Sequence, residues 1–299
     1  MLNRRQFTGL CVALGSFASS YGALALDAAT GVARTVKFRD GTTVPALGQG
    51  SWHLAQGRHP AAEEEEALRT GISLGMTLID TAEVHSNGHS EELNGHSEEL
   101  MVSKVLPTHV TGDGMMRACE ASLARLGTDH LDLYLLHWRN EIADLSGVVT
   151  GFENLHSAGK IRAWGVSNFT VGDMEDLFHV PQGDRCATNQ VHYNLSDRSI
   201  EHDLLPWCEQ HGMPVMAYSP LGGPGADLLR DPTLESIGTA HDCSAAAVAL
   251  AWTIRSGRVI AIPESGSVAH VKENAVALSL TLTPQELQTL DTAHPPLGR

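Results

Sequence analysis

Between Thr77 and Trp138 three short apolar runs each terminate at an ionisable side chain. Thr77-Leu78-Ile79 stops at Asp80, Leu100-Met101-Val102-Ser103 at Lys104, and Leu133-Tyr134-Leu135-Leu136 at His137, with helix-like segments between them. Runs this short, rich in Leu, Ile and Val and spaced by helical pattern, read as strands of a parallel sheet covered on both faces. An acid, an amine and an imidazole therefore fall at the same ends of successive strands. In a closed barrel of alternating strands and helices, that rim carries the active site. The first run continues through Ala82-Glu83-Val84 to His85, which adds a second imidazole to the rim.

At 299 residues and 42% hydrophobic content the chain can bury a large core. Length alone permits one barrel or two ordinary domains, and the regular alternation favours one. The formal net charge is −15 and no basic run exceeds Arg4-Arg5, which argues against nucleic acid or an anionic membrane surface as partner. Asn3-Arg4-Arg5-Gln6-Phe7 precedes an acid-free stretch of apolar and small residues from Thr8 to Ala25, ending in the cleavable pattern Ala23-Leu24-Ala25. Residues 1–25 therefore read as a signal peptide of the bacterial twin-arginine type, with export to the periplasm by the twin-arginine machinery and no membrane attachment after cleavage. Gly15, Ser16, Ser19, Ser20 and Gly22 interrupt the apolar stretch, which argues against a permanent anchor. Residues 26–299 form one barrel domain. Its four cysteines (Cys119, Cys186, Cys208, Cys243) lie far apart without CxxC spacing and read as buried free thiols.

In chain order, Arg34 to Leu47 predicts a hairpin that plugs the bottom of the barrel, and Ala46 to Trp52 the first barrel strand. Helix one spans Ala61 to Leu74 and opens on four glutamates, which suit a helix N-terminus. Asn87-Gly88-His89-Ser90-Glu91-Glu92-Leu93 is repeated at once as Asn94 to Leu100, so the second helix is either squeezed or truncated before the third strand. Further helices are expected at Asp113–Leu126, Gly147–Ser157, Ala245–Arg255 and Pro284–His294. Strands are expected at Ile161–Gly165, Cys186–Asn189, Pro214–Ala217 and Val259–Ile262. Eight strand-like runs alternating with helices predict an α/β chain folded as a (β/α)8 TIM barrel with an N-terminal β-hairpin.

Seven stretches then carry a resemblance. Leu78 to Glu83, Val102 to Val105, Asp132 to Trp138, Gly165 to Phe169, Asn189 to Val191, Ala217 to Gly222 and Val259 to Pro263 resemble, in order, the aldo-keto reductase family. The ending at Arg299 is similar to that of bacterial members with a short C-terminus. The resemblance implies reduction of small aldehydes or ketones by hydride transfer from a nicotinamide cofactor, through a tyrosine proton donor, a lysine, an aspartate and a histidine. It assigns three of these roles to Asp80, Lys104 and His137. It also implies that Ser167, Asn168 and Gln190 hold the carboxamide, Tyr218 stacks on the nicotinamide, and Ser219, Leu221 and Gly222 form the pyrophosphate loop. Glu273 and Asn274 match the adenine contacts. Trp52, His53 and Trp138 are the candidates for the substrate mouth, packing being the alternative role of a Trp on a barrel rim.

Two departures stand out. The tyrosine position, five after Asp80, holds His85, which could donate as imidazolium near neutral pH or polarise the carbonyl as a neutral ring. If it does neither, the chain is a barrel that binds the dinucleotide without efficient turnover, and a third reading is a gene product damaged by the tandem repeat. The family's Pro-Lys-Ser is here Pro263-Glu264-Ser265, and its arginine six positions later is His270. A carboxylate repels a 2′-phosphate and accepts a hydrogen bond from a 2′-hydroxyl, so NADP(H) is the cofactor implied by resemblance and NAD(H) the one that Glu264 and His270 favour. His85, His89, His96 and His137 show no metal-site spacing, and no metal is expected.

Overall fold

A computed structural model describes residues 34–94, 99–140, 142–223 and 227–296. The signal-peptide reading of residues 1–25 and His96 of the second repeat copy lie outside the described residues.

The N-terminal hairpin pairs β1 (Thr35–Lys37) with β2 (Thr43–Pro45), Val36 opposite Val44. Asp40 accepts the Thr42 N–H at 2.8 Å, and Gly41 takes the left-handed backbone (φ 93°) that the turn needs. Val36, Phe38 and Val44 are buried in one cluster with Leu78, Leu133 and Leu135 from the barrel strands, so the hairpin stoppers the barrel as expected.

The barrel strands are β3 (Gln49–Gly50), β4 (Leu78–Asp80), β5 (Leu100–Val105), β6 (Leu131–Leu136), β7 (Ile161–Ser167), β8 (Asn189–His192), β9 (Val215–Tyr218) and β10 (Val259–Ala261). All neighbours are parallel and follow sequence order. Parallel bridges from Leu47 to Ala261 and from Gly50 to Glu264 bring the two edges together. Hydrogen bonds from Gly48 N to Ala261 O (2.8 Å), Ala261 N to Ala46 O (2.9 Å) and Gly50 N to Pro263 O (2.9 Å) complete that seam. Closure leaves the barrel sheet without an open edge among the described residues.

Ten helices pack outside among the described residues: α1 (Ala61–Ser73), α2 (His89–Asn94), α3 (Gly114–Leu126), α4 (Leu145–Ser157), α5 (Val171–His179), α6 (Leu204–Gln210), α7 (Pro232–Ala240), α8 (Ala245–Thr253), α9 (Val268–Ala275) and α10 (Pro284–Ala293). Helix α8 is apolar all round and buried from Ala247 to Thr253, as its alanine-rich sequence requires. Helices α5, α6, α7 and α9 were not expected. The sixth barrel strand lies later than Cys186–Asn189: Ala187 N does bond Trp164 O at 2.9 Å, but the ladder proper begins at Asn189, after a turn at Gly183–Arg185. In the repeat, α2 is described over His89–Asn94 and β5 starts at Leu100; the residues between them lie outside the described residues, and with them the choice between a squeezed and a truncated helix.

Candidate active site

The strand ends converge as the spacing of acid, amine and imidazole predicted. Lys104 Nζ lies 2.7 Å from Asp80 Oδ2 and donates to Thr81 O at 2.8 Å, with the two side chains 2% and 4% exposed. Gln190 Nε2 donates to the other oxygen, Asp80 Oδ1, at 2.7 Å, tying β8 to the pair across the barrel. Burial holds the Lys104 ammonium below its usual pKa, against the opposing pull of Asp80.

His137 follows β6 directly. Its N–H bonds Val105 O at 3.0 Å and its carbonyl accepts Asn168 Nδ2 at 3.2 Å. His85 sits at the head of a single helical turn, His85–Gly88, in which Ser86 (φ 50°), Asn87 (φ 55°) and Gly88 (φ 89°) are all left-handed. Ser86 and Asn87 hold strain there that surrounding contacts must fix, whereas Gly88 takes its φ freely. Ser86 Oγ donates to Leu54 O at 2.8 Å, and Glu83 accepts Leu106 N at 2.6 Å and pairs with His109 Nδ1 at 3.0 Å. Beneath the turn, buried Ser90 bonds Ser51 Oγ at 2.7 Å, and buried Glu91 takes Ser103 Oγ at 2.6 Å and Arg125 Nε at 2.6 Å.

The rings of His85 and His137 are 6.1 Å apart. Trp52 meets them edge-on at 4.9 and 6.4 Å, and Trp138 lies 4.3 Å from His137. Among the described residues no acid shifts either imidazole toward its cation, and Nδ1 of each is buried without a partner. Burial first, then the charges of Lys104, His137 and His53, lower the His85 pKa to about 2; burial and Lys104 lower that of His137 to about 3. Both rings are therefore neutral at physiological pH.

These groups open into a cavity of about 510 Å³ that is also lined by Trp52, His53, Trp138, Ser167, Asn168, Gln190, Tyr218, Ser219, Leu221, Gly222 and Glu264. Asn168 (φ 59°) and Ser219 (φ 49°) break the ends of β7 and β9 with left-handed backbone, turning their polar groups over the rim. Asn168 Nδ2 bonds Ser167 Oγ at 3.1 Å, Asn168 Oδ1 accepts Tyr218 OH at 3.0 Å, and Ser167 Oγ donates to Gln190 O at 2.8 Å. The Gln190 amide nitrogen is committed to Asp80, which leaves its carbonyl oxygen for an incoming amide. An aromatic face beside such a polar row fits the carboxamide-bearing ring of a nicotinamide.

Of the residues expected at the adenosine end, Glu264 lines this cavity and the others do not. Ser265, His270, Glu273 and Asn274 do not line this cavity; His270 and Glu273 are exposed on α9, and Asn274 is buried. Glu264 is less free than expected, since Oε2 accepts His53 N at 2.7 Å and Oε1 lies 3.1 Å from His53 Nδ1. Sequence reasoning missed Ser51 and Pro263 in the lining, and the Glu91–Arg125 pair below it; a buried glutamate inside an apparent helix start leaves no local signal.

The sequence pattern of the Aldo/keto reductase family matches residues 46–294. The chain is 46% identical over 276 residues to methylglyoxal reductase YeaE of Escherichia coli (strain K12), an alignment covering 89% of this chain and 97% of that protein. It is 31% identical over 271 residues to glyoxal reductase of Bacillus subtilis (strain 168), covering 89% and 94%. A crystal structure of an aldo/keto reductase from Klebsiella pneumoniae in complex with NADP and acetate superposes with a TM-score of 0.85 at 45% identity, covering 90% of this chain and 98% of that one. A second Klebsiella pneumoniae structure, in complex with NADPH, matches with the same score and identity and covers 97% of its chain. The chain belongs to the aldo/keto reductase family. It is an oxidoreductase of that NAD(P)-dependent type, folded as the (β/α)8 barrel its strand pattern predicted.

Proposed function

We propose that this enzyme reduces small aldehydes and ketones, with α-oxoaldehydes such as methylglyoxal the foremost class, by hydride transfer from NAD(P)H and with His85 at the family's tyrosine position. The observation that carries the reading is the buried Asp80–Lys104 pair, fixed by Gln190, opening into the same cavity as His85, His137 and the Ser167-Asn168-Tyr218 row. The 46% identity to a methylglyoxal reductase supports the substrate class. Reduced nicotinamide, when bound, supplies the hydride. Ser167, Asn168 and Gln190 hold its carboxamide, Tyr218 covers its ring, and Trp52 and Trp138 wall a mouth suited to a compact substrate.

A carbonyl that accepts hydride gathers negative charge on oxygen, and preorganised donors lower that barrier. With Nδ1 of both histidines buried, Nε2 is the atom each presents to the cavity. Neutral rings protonated at Nε2 direct two hydrogen bonds at the carbonyl oxygen, and the Lys104 cation adds charge behind them. Cofactor choice follows from Glu264: a carboxylate on the loop after β10 disfavours a 2′-phosphate and shifts preference from NADPH toward NADH.

The missing tyrosine favours a second reading, a barrel that binds the dinucleotide without efficient turnover. Residues 26–299 are the protein to test, by cofactor fluorescence and single-turnover reduction of methylglyoxal. Turnover that rises on the order of 10²-fold in His85→Tyr identifies a working site with a poorer donor arrangement. Tight binding with no hydride transfer in either protein would falsify the reductase reading. The export reading rests on residues 3–25 and is checked by the fractionation of a tagged full-length chain between periplasm and cytoplasm.

A further inference from the structure

We infer that Lys104 itself donates the proton to the reduced carbonyl, His85 and His137 serving as neutral hydrogen-bond donors that hold the oxygen. This rests on the reductase reading above. The inference stands on the hydrogen-bond arithmetic of the ammonium. Lys104 Nζ carries three N–H groups; one goes to Asp80 Oδ2 at 2.7 Å and one to Thr81 O at 2.8 Å. The third has no protein acceptor among the described residues, and Lys104 lines the cavity beside His85 and His137. Where a phenol would accept that third N–H and relay its own proton, a shorter imidazole stands, and neither nitrogen of His85 bonds Lys104.

The histidines are poorly built to be acids. Among the described residues each has a buried, unpartnered Nδ1 and no carboxylate partner at either ring, and both face the lysine cation. The charged and titratable groups around Lys104 are Asp80 on β4, Glu91 on α2, His85 on the turn after β4 and His137 after β6. Asp80 keeps the ammonium charged in the resting site, while burial makes the proton easier to give up than in free lysine. Asp80 is itself held at both oxygens, by Lys104 and Gln190, so it stays in place when the amine becomes neutral.

The step balances as follows. The carbonyl carbon gains a hydride from reduced nicotinamide, which is oxidised; the carbonyl π pair moves to oxygen; a Lys104 N–H bond breaks and an O–H bond forms. The product is an alcohol, Lys104 is left as a neutral amine bonded to Asp80 and Thr81, and solvent reprotonates it through the open cavity.

The test joins nitrogen NMR of the unmodified protein to single-turnover kinetics. The NMR is expected to show both rings neutral with hydrogen on Nε2 across roughly pH 5 to 8, and the Lys104 amine titrating below free lysine. The hydride-transfer rate is expected to fall at high pH along that lysine titration, and His85→Ala is expected to lower the rate without moving the fall. Lys104→Ala, with cofactor binding by fluorescence reporting that the fold survives, is expected to lose at least about 10²-fold and to regain rate with added small primary amines according to their acidity. A rate that tracks the titration of His85, or a His85 ring protonated at both nitrogens near neutral pH, overturns the assignment. Hydride transfer absent from the unmodified protein and from His85→Tyr alike instead overturns the reductase reading on which it rests.

Discussion

The two buried histidines of the candidate active site are expected to make the protein sensitive to acid in a way that surface histidines do not. Folding moves His85 from an ordinary pKa of 6.5 to about 2 and His137 from 6.5 to about 3, burial being the main cause. The unfolded chain therefore takes up protons first as pH falls below 6.5, and stability drops from that point until the folded rings also titrate. Two units below the unfolded value, each ring contributes a loss of roughly 2–3 kcal/mol. Replacing His85 by phenylalanine, which keeps the ring in place and cannot titrate, is expected to shrink the loss of urea stability between about pH 7 and pH 4.5 by roughly half of the histidine contribution. Urea midpoints at the two pH values for both proteins measure this, and an unchanged difference would show that His85 is not buried as a neutral ring. Legibility at this scale was uneven. Asp80, Lys104, His137 and His85 announce themselves because strand ends put side chains on the rim at fixed offsets. The neutrality of the rings depends on burial and on the absence of a nearby carboxylate, which no local stretch of sequence encodes.

The turn and short helix that carry His85 are held by polar contacts in place of an apolar stripe. Helix α2 is too short to be stable alone, and its Ser90, Glu91 and Asn94 all face inward. Glu91 pairs with Arg125 from α3 at 2.6 Å and is fully buried, while Arg125 is about a quarter exposed. Gly88 completes the left-handed run, and a Cβ there would stand 2.8 Å from the Arg125 side chain. Removing the cation in Arg125→Met leaves a buried carboxylate with only Ser103 as partner, an expected cost of about 3 kcal/mol. Since the same contact props the turn, cofactor-dependent turnover is expected to fall further than cofactor affinity. Denaturant unfolding and separate kcat and KM values check both parts, and a loss confined to stability would mean that the turn keeps its shape without α3. Ser90-Glu91-Glu92 did mark a helix start in sequence. What the tandem copy concealed was that the helix would turn its Glu91 inward. Helix α5 shows the opposite failure: Thr170 and Asp173 form a capping box that was readable from their spacing, yet the helix went unread.

Across the whole molecule the order of the barrel was legible because each strand is a short buried run between helices, and sequential parallel strands have few ways to pair. The seam was not, because β3 is only two residues long and its closing bonds join Ala46 to Gly50 with Ala261 and Pro263, far along the chain. That seam gives Glu264 a structural role beside the one proposed for it in cofactor choice. It leaves β10 next to the loop after β3 and grips His53 at both backbone and ring, so the loop after β10 is tied to the loop bearing Trp52, itself 51% exposed. Charge reversal at this point separates the two roles. In Glu264→Lys the repulsion of a 2′-phosphate proposed above would become attraction, worth about 1.5–3 kcal/mol for a hydrogen bond between charged groups, or roughly 10-fold to 150-fold in the ratio of NADPH to NADH affinity. The His53 loop is released at the same time, so KM for the carbonyl substrate is expected to rise with either cofactor. Fluorescence titration of both reduced cofactors gives the ratio and steady-state kinetics give KM. A ratio that stays put while KM rises would confine Glu264 to holding the mouth, and would leave the choice between the two cofactors to α9, where His270 stands exposed.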